Sequence, residues 1–314
     1  MGRSTRSRHF TVERLAPGVH AAIATPTGAG LCNSGIVDLG GASVVFDTML
    51  TPAAGAALAR VAERTTGHKP TWIVNSHYHG DHIWGNASFP EGHVVSSRRV
   101  RDAVLQRSQL QLDACRREFP KELARMSRAD SPVPPVDRPE VRAWYRSTLA
   151  AAPTLRIVPP ELTFREEVVL QGRRRSIHLI TYGGGHSPSD VFAYLPEERI
   201  VFTGDLVMVG YHPSVGDGYP DEFIRILREM RRHRADVLLP GHGPVGTGRS
   251  LERNLGYWLN LRKAVSTAIR HGAGPGAVAQ LPIPRAYRDW RFSFMFPENA
   301  LRIYRHLRKR APPR

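Results

Sequence analysis

Three imidazoles and a carboxylate fall within six residues, His77-Tyr78-His79-Gly80-Asp81-His82, and set the chemistry that this chain can do. Neutral imidazole and carboxylate are ligands for divalent ions. With thiolate missing from the set, zinc is favoured, and iron or manganese are admissible. Thr71-Trp72-Ile73-Val74, just ahead, reads as a short buried strand. His77 and His79 then stand at i and i+2 of an extended backbone, leave it on one side, and can share one ion. After Gly80 the chain must turn. Asp81 and His82, adjacent and so pointing differently, suit a neighbouring ion. The cluster therefore predicts two metal ions per chain. The bland alternative, a solvated His-rich turn, would make no demand on the rest of the sequence.

The rest of the sequence does answer. Ser176-Ile177-His178-Leu179-Ile180 runs into Gly183-Gly184-Gly185-His186, where the glycines allow a tight turn that presents His186. Arg199-Ile200-Val201-Phe202 ends at Thr203-Gly204-Asp205, and Val237-Leu238-Leu239 is followed by Pro240-Gly241-His242-Gly243. Each site repeats one context: an apolar strand, a Gly-containing turn, then His or Asp. Strands lying side by side would gather these ligands at one edge of a sheet, as sites built on loops of a rigid scaffold usually are.

The elements that must position them are legible in outline. From Thr11 to Asp47 short β-like runs alternate with glycines, a meander of strands. Residues 52–66 carry Ala and Leu at helical spacing, with Pro52 at the start and Gly67 after the end. From Arg98 to about Ala152 the sequence reads as a helical insertion over the site: Ser96-Ser97 can cap it, and a second helical piece from Lys121 to Arg128 precedes Pro132-Val133-Pro134-Pro135. It serves either as a lid or as packing alone. Further helices are expected over 221–233 and 251–271, with a break at 272–276. The closing aromatics Trp290, Phe292, Phe294, Phe296 and Tyr304 suit a core or a homo-oligomer interface better than a substrate cage. The domain plan is a disordered basic N-terminus (1–10), one metal-binding domain (11–285) bearing the insertion (98–152), and a C-terminal segment with a helix from Pro297 and a basic tail (286–314).

Composition bounds the partners. The chain has 314 residues, 41% of them hydrophobic, which suits a globular core. No apolar run approaches the roughly 20 residues that span a bilayer, and the N-terminus lacks a secretory core, so a cytoplasmic protein without a membrane partner is expected. Cys32 and Cys115 are far apart and imply no disulfide framework. A net charge of +16 invites a polyanionic partner. However, only Lys69, Lys121, Lys263 and Lys309 are lysines among 44 basic residues, an arginine bias that GC-rich coding produces unaided. A small-molecule substrate is preferred to nucleic acid.

With these motifs in place, the sequence resembles the metallo-β-lactamase superfamily, in its dinuclear, glyoxalase II-like hydrolase branch, from about Thr11 to Gly246. The resemblance rests on Asn33-Ser34-Gly35, the strand ending at Asp47, His77-x-His79-x-Asp81-His82, His186, Asp205 and His242. It implies an α/β fold, a four-layer αββα sandwich. It also implies that His77, His79 and His186 hold one ion, that Asp81, His82 and His242 hold the other, that Asp205 bridges them, and that Asp47 supports the metal loop. The activity implied is a dizinc hydrolase of a small carbonyl substrate (thioester, ester, lactone or amide), with a metal-bridging hydroxide as nucleophile and Asp81 accepting or orienting its proton.

Departures from particular branches narrow the substrate. A β-lactamase of the cysteine type would carry Cys where Asp205 stands, although the loop from Gly185 to Val191 resembles the lactamase one. Homoserine-lactone lactonases place Tyr three residues after the bridging Asp; here Met208 stands there and Tyr211 follows. The flavodiiron branch replaces the second His by Glu, and this chain keeps His79. Besides the β-lactamase, two alternatives stay open: a phosphodiesterase or ribonuclease of the same fold, and an oxidoreductase resembling the mononuclear iron persulfide dioxygenases. No motif in the insertion or the C-terminal segment identifies the substrate.

Overall fold

The β-like runs of the first fifty residues form an antiparallel ribbon of four strands: β1 (Phe10–Ala16), β2 (Val19–Ala24), β3 (Ser34–Asp38) and β4 (Ser43–Phe46). The computed structural model describes residues 7–310. Residues 1–6 of the basic N-terminal stretch, and the last four of the tail, lie outside the described residues. Within that stretch His9 and Phe10 are buried, and Phe10 opens β1, so regular structure reaches back to the edge of the expected disordered segment.

Beyond β4 the chain crosses over through helices, and its strands become parallel. α1 (Pro52–Thr66) leads to β5 (Trp72–Val74). α2 (Gly80–Ile83) precedes β6 (His93–Ser97), and β7 (Leu162–Phe164) completes a seven-stranded sheet in the order β1 to β7. α1 has the ends that its sequence promised. Thr51 Oγ1 accepts from Ala54 N at 3.2 Å, Pro52 occupies the first turn, and Gly67 takes φ +77° to close the last one. Its apolar stripe, Ala54, Leu58, Val61 and Ala62, covers Ile36, Val45 and Ile73 on the outer face of this sheet.

A second sheet, ordered β12-β11-β10-β9-β8, comprises β8 (Glu167–Gln171), β9 (Ser176–Gly183), β10 (Asp190–Leu195), β11 (Ile200–Phe202) and β12 (Val237–Leu239). Its outer face is covered by α5 (Pro220–Met230) and α6 (Gly248–Arg270), with Phe223, Leu227, Leu255 and Trp258 packed on Phe192 and Val201. Between the sheets lie Val37, Val44, Phe46, Leu179, Val191 and Phe202. Phe46 and Phe202 meet at 5.8 Å between ring centroids. Opposite that ring Gly35 has no alternative, since a Cβ there would lie 2.2 Å from Phe202 Cε2. Helix, sheet, sheet and helix make the αββα sandwich.

The insertion forms α3 (Arg98–Arg125) and α4 (Arg138–Ala151); the chain ends in α7 (Pro275–Ala279) and α8 (Met295–Arg310). The sequence reading broke the insertion before Lys121. Instead, α3 runs through Pro120 as one helix of 28 residues. Proline in a helix interior costs about 3 kcal/mol. Here Phe119, its neighbour, stacks on Tyr145 of α4 at 4.0 Å and meets Trp144 at 5.7 Å, packing that offsets the lost hydrogen bond.

Candidate metal centre

The His-rich motif leaves β5 through Asn75 and Ser76, places His77 and His79 on the connecting loop, and puts Asp81 and His82 in the short helix α2. His79 caps that helix in an extended conformation. His186 lies on the β9–β10 turn, Asp205 on a single 3-10 turn after β11, and His242 just after β12. All seven predicted residues therefore meet at one end of the sandwich.

Their donor atoms converge. His79 Nδ1 lies 3.0 Å from His77 Nε2 and 2.9 Å from His186 Nε2. On the other side, Asp81 Oδ2 is 3.4 Å from His82 Nε2 and 3.3 Å from His242 Nε2. Asp205 faces both groups. Its Oδ1 lies 3.2 Å from His82 Nε2 and 3.3 Å from His242 Nε2, and its Oδ2 lies 3.4 Å from His186 Nε2. Three overlapping triads can each hold a cation: His77/His79/His186, His77/His82/Asp205 and Asp81/His82/His242. The spacing fits metal coordination, since bonds of about 2.0–2.1 Å arranged tetrahedrally separate ligands by about 3.3 Å. His82 Nε2 and Asp205 Oδ1 are buried without a hydrogen-bond partner, an expensive condition that a divalent ion would relieve.

The far nitrogens of these rings are held by the fold. His186 Nδ1 donates to the Ser214 carbonyl at 2.8 Å, and His242 Nδ1 to the Leu31 carbonyl at 3.1 Å. His82 Nδ1 meets Asp47 Oδ2 at 2.7 Å, and His77 Nδ1 meets Ser76 Oγ at 2.9 Å. Such contacts fix ring orientation and tautomer, leaving Nε2 free inside the site. Asp47 is wholly buried at φ +60°. It accepts from Ser76 N and Ser76 Oγ, both at 2.7 Å, which hold this non-glycine residue in the left-handed region. Asp190 organises the His186 turn in the same way, accepting from the backbone N–H of Gly185, His186 and Ser187.

Burial opposes charge on Asp81 and Asp205, but the adjacent His82 and His242 more than offset it and hold both carboxyls well below the usual range. Burial, reinforced by neighbouring imidazoles, drives His77 far down, so it is neutral. Burial also acts against charge on His242, yet Asp205 and Asp81 push its pKa up to about 10. Metal uptake at these groups would therefore exchange protons for a cation. Cys32, a free thiol 2.9 Å from the Asp81 carbonyl, is pushed by burial up to about 12 and belongs to none of the three triads.

The site opens into a cavity of about 220 Å³ lined by Leu31, Trp144, Met208, Phe292 and Met295, with Gln111, Tyr211 and Ser214 among its polar atoms. Of these wall residues the sequence singled out Met208, three residues after Asp205, and Tyr211 beyond it; Leu31, Gln111, Trp144, Ser214 and Met295 were missed. Phe292, read as core or interface, packs on the small cluster of Met126, Val133 and Val141 and also faces the site, whereas Trp290 and Phe296 are buried among the core aromatics. Tyr211 reaches the cavity, but its hydroxyl is committed to Glu140 at 3.1 Å.

The family model described as the metallo-beta-lactamase superfamily matches residues 27–242, which contain all seven of these residues. Among solved structures, a metallo-beta-lactamase from Pontibacter korlensis aligns at TM-score 0.60 and 18% identity over 80% of this chain and 99% of that one. The metallo-beta-lactamase FIM-1 from Pseudomonas aeruginosa, in a mono-zinc form, aligns at TM-score 0.57 and 16% identity over 80% and 95%. A variant of the sec-alkyl sulfatase PisA1 aligns at TM-score 0.72 and 15% identity, covering 95% of this chain and 50% of its own.

Proposed function

The chain belongs to the metallo-beta-lactamase superfamily, a family mostly of metal-dependent hydrolases, and on that premise we propose that it is a dizinc hydrolase of a small carbonyl substrate: an ester, thioester, lactone or amide. His77, His79 and His186 would hold one ion, Asp81, His82 and His242 the other, and Asp205 would be shared. Zinc suits this nitrogen and oxygen set, with iron or manganese as the alternatives. Bound there, two divalent cations would supply Lewis-acid polarisation of a substrate oxygen and an activated water at neutral pH. The chain's own part is to hold that arrangement and to manage a proton. Asp81, ionised beside His242 and His82, would accept or orient one.

The observation that carries the carbonyl reading is the cavity wall. Leu31, Trp144, Met208, Phe292 and Met295 face the ligands, and no Lys or Arg is among the described residues lining that space. An apolar acyl group gains from each of these contacts, whereas a polyphosphate would find no cation other than the metals. The arginines gather elsewhere: Arg98, Arg99, Arg165 and Arg225 line an outer groove. Gln111 of α3 and Trp144 of α4 belong to the wall, which supports residues 98–152 as a cover over the site. One observation favours a second reading, cleavage of an alkyl sulfate ester: the likeness to the alkyl sulfatase reaches across 95% of this chain.

A substrate panel separates these readings. Thioester, lactone, ester and β-lactam reporters, a secondary alkyl sulfate and structured RNA would be assayed across a salt series. Acyl hydrolysis with a shallow salt dependence is expected. RNA cleavage that collapses between low and moderate salt, with no acyl turnover, would overturn the carbonyl reading, because counterion release makes polyphosphate binding steeply salt-dependent. Turnover of the alkyl sulfate alone would establish the second reading.

A further inference from the structure

We propose that Asp217 is the carboxylate that positions His79 in the metal centre, and that Arg107 of the inserted helix α3 holds it there; the inference rests on the dinuclear reading above. His79 turns Nδ1 inward, toward His77 and His186, so its Nε2 faces away from the other ligands. The group it meets is Asp217 Oδ1, at 3.7 Å. His77, His82, His186 and His242 each have the far nitrogen engaged by Ser76, Asp47, the Ser214 carbonyl or the Leu31 carbonyl. Asp217 is the matching partner for the fifth ring.

Three observations support that assignment. Asp217 Oδ1 is a buried atom with no hydrogen-bond partner, whereas Oδ2 is satisfied twice, by Tyr78 Oη at 3.0 Å and by the guanidinium of Arg107. Closing 3.7 Å to a hydrogen bond requires a shift of under about 1 Å. Second, the loop that carries Asp217 is pressed against this very pair of ligands. Gly216, at φ +48°, would put a Cβ 2.8 Å from the His186 carbonyl and 3.4 Å from His79 Cε1. Third, α3 grips the metal loop on both sides of His79: Ser108 Oγ donates to the Tyr78 carbonyl at 3.4 Å, and Gln111 Oε1 accepts from Gly80 N at 3.0 Å. Arg107 lies on the same face, one turn before Gln111. The insertion thus braces the metal loop as well as walling the cavity.

A carboxylate on the far nitrogen fixes the tautomer of a ligating imidazole and raises its basicity, and losing it typically costs 10–100-fold in metal affinity. The test uses full-length protein stripped with a chelator and titrated with zinc against a chromophoric competitor, and in parallel with cobalt to read ligand-field absorption. Asp217→Ala should weaken one of the two ions about 10–100-fold and shift its ligand-field bands, leaving the other ion within about threefold. Asp217→Asn should lie between that variant and wild type, and Arg107→Met should weaken the same ion by less. Unchanged affinities in Asp217→Ala, or equal weakening of both ions, would overturn the inference while leaving the dinuclear reading intact. Should Asp217→Ala fail to fold, Arg107→Met decides alone, since that side chain is 44% exposed, and wild-type affinities there would overturn the inference. A wild-type protein that binds fewer than two ions brings down the dinuclear reading, and this inference with it.

Discussion

Arg291 of the closing segment donates to Glu140 of α4 at 3.1 Å, tying the C-terminal part of the chain to the helical insertion beside the cavity of the candidate site. The same guanidinium pairs with Asp137, whose second oxygen accepts from Phe292 N at 3.0 Å. The side chains of Asp137 and Glu140 are only 1% and 7% exposed. Arg291→Met would leave both carboxylates buried without their cation, so a loss of stability on the order of 3 kcal/mol is expected. Breaking the exposed pair Arg199–Asp236 should cost about 1 kcal/mol or less. Denaturant midpoints for Arg291→Met and Arg199→Met check the contrast, and equal midpoints would refute it.

Purified protein is expected to carry close to two metal ions per chain. Asp205→Asn should lower both occupancy and turnover, because the two oxygens of Asp205 face different ligand groups. Stripping the metal should also lower the thermal midpoint. Ligand at a hundredfold excess over its Kd stabilises the folded state by about 2.7 kcal/mol. Elemental analysis combined with thermal scans before and after chelation reads both effects. One iron and no zinc would favour the mononuclear iron alternative instead.

His212 supplies a pH dependence separate from the ligands. It lies among the rings of Tyr257, Trp290 and Phe296, at centroid distances of 5.6, 6.0 and 6.0 Å, and burial pushes its pKa down to about 4. The unfolded chain protonates this group near 6.5, whereas the folded chain resists until about pH 4. Its stabilising contribution is therefore complete above pH 6.5 and is lost as pH falls toward 4, a change of about 3 kcal/mol. In chelator-stripped protein, His212→Phe should flatten the stability profile between pH 6.5 and 4 relative to wild type. Parallel profiles would show that His212 does not contribute.

Much of this candidate site was legible because each candidate ligand is announced locally. His186, Asp205 and His242 follow an apolar strand and a glycine turn, and parallel or antiparallel pairing then brings those turns together. α1 could be bounded to the residue, since Pro52 and Gly67 each act within one turn of the backbone. By contrast, Asp217 reaches His79 across 138 positions of chain, and Phe292 reaches the cavity from a segment whose aromatics otherwise fill the core. No local pattern marks such contacts. The break expected before Lys121 failed for the same reason: Phe119 packs on α4, and a tertiary contact decides what Pro120 alone would not.

The cavity wall gives the sharpest functional test of substrate class. Trp144 is an apolar face of that wall, and Arg165 lies in the outer groove. For an acyl substrate, Trp144→Ala removes a hydrophobic contact worth about 1–3 kcal/mol, so kcat/KM should fall roughly tenfold to hundredfold for longer acyl groups and less for acetyl. Metal content should not change, since Trp144 contacts Phe119 and Tyr145 and is outside the ligand set. Arg165→Met should leave acyl hydrolysis within about twofold. A phosphodiester substrate tracking the basic groove would reverse the order: Arg165→Met would weaken binding and flatten its salt dependence, while Trp144→Ala would matter little. Steady-state kinetics over an acyl-length series, with metal analysis of each variant, decides between the two patterns, and the reversed order would make the outer arginines part of substrate binding.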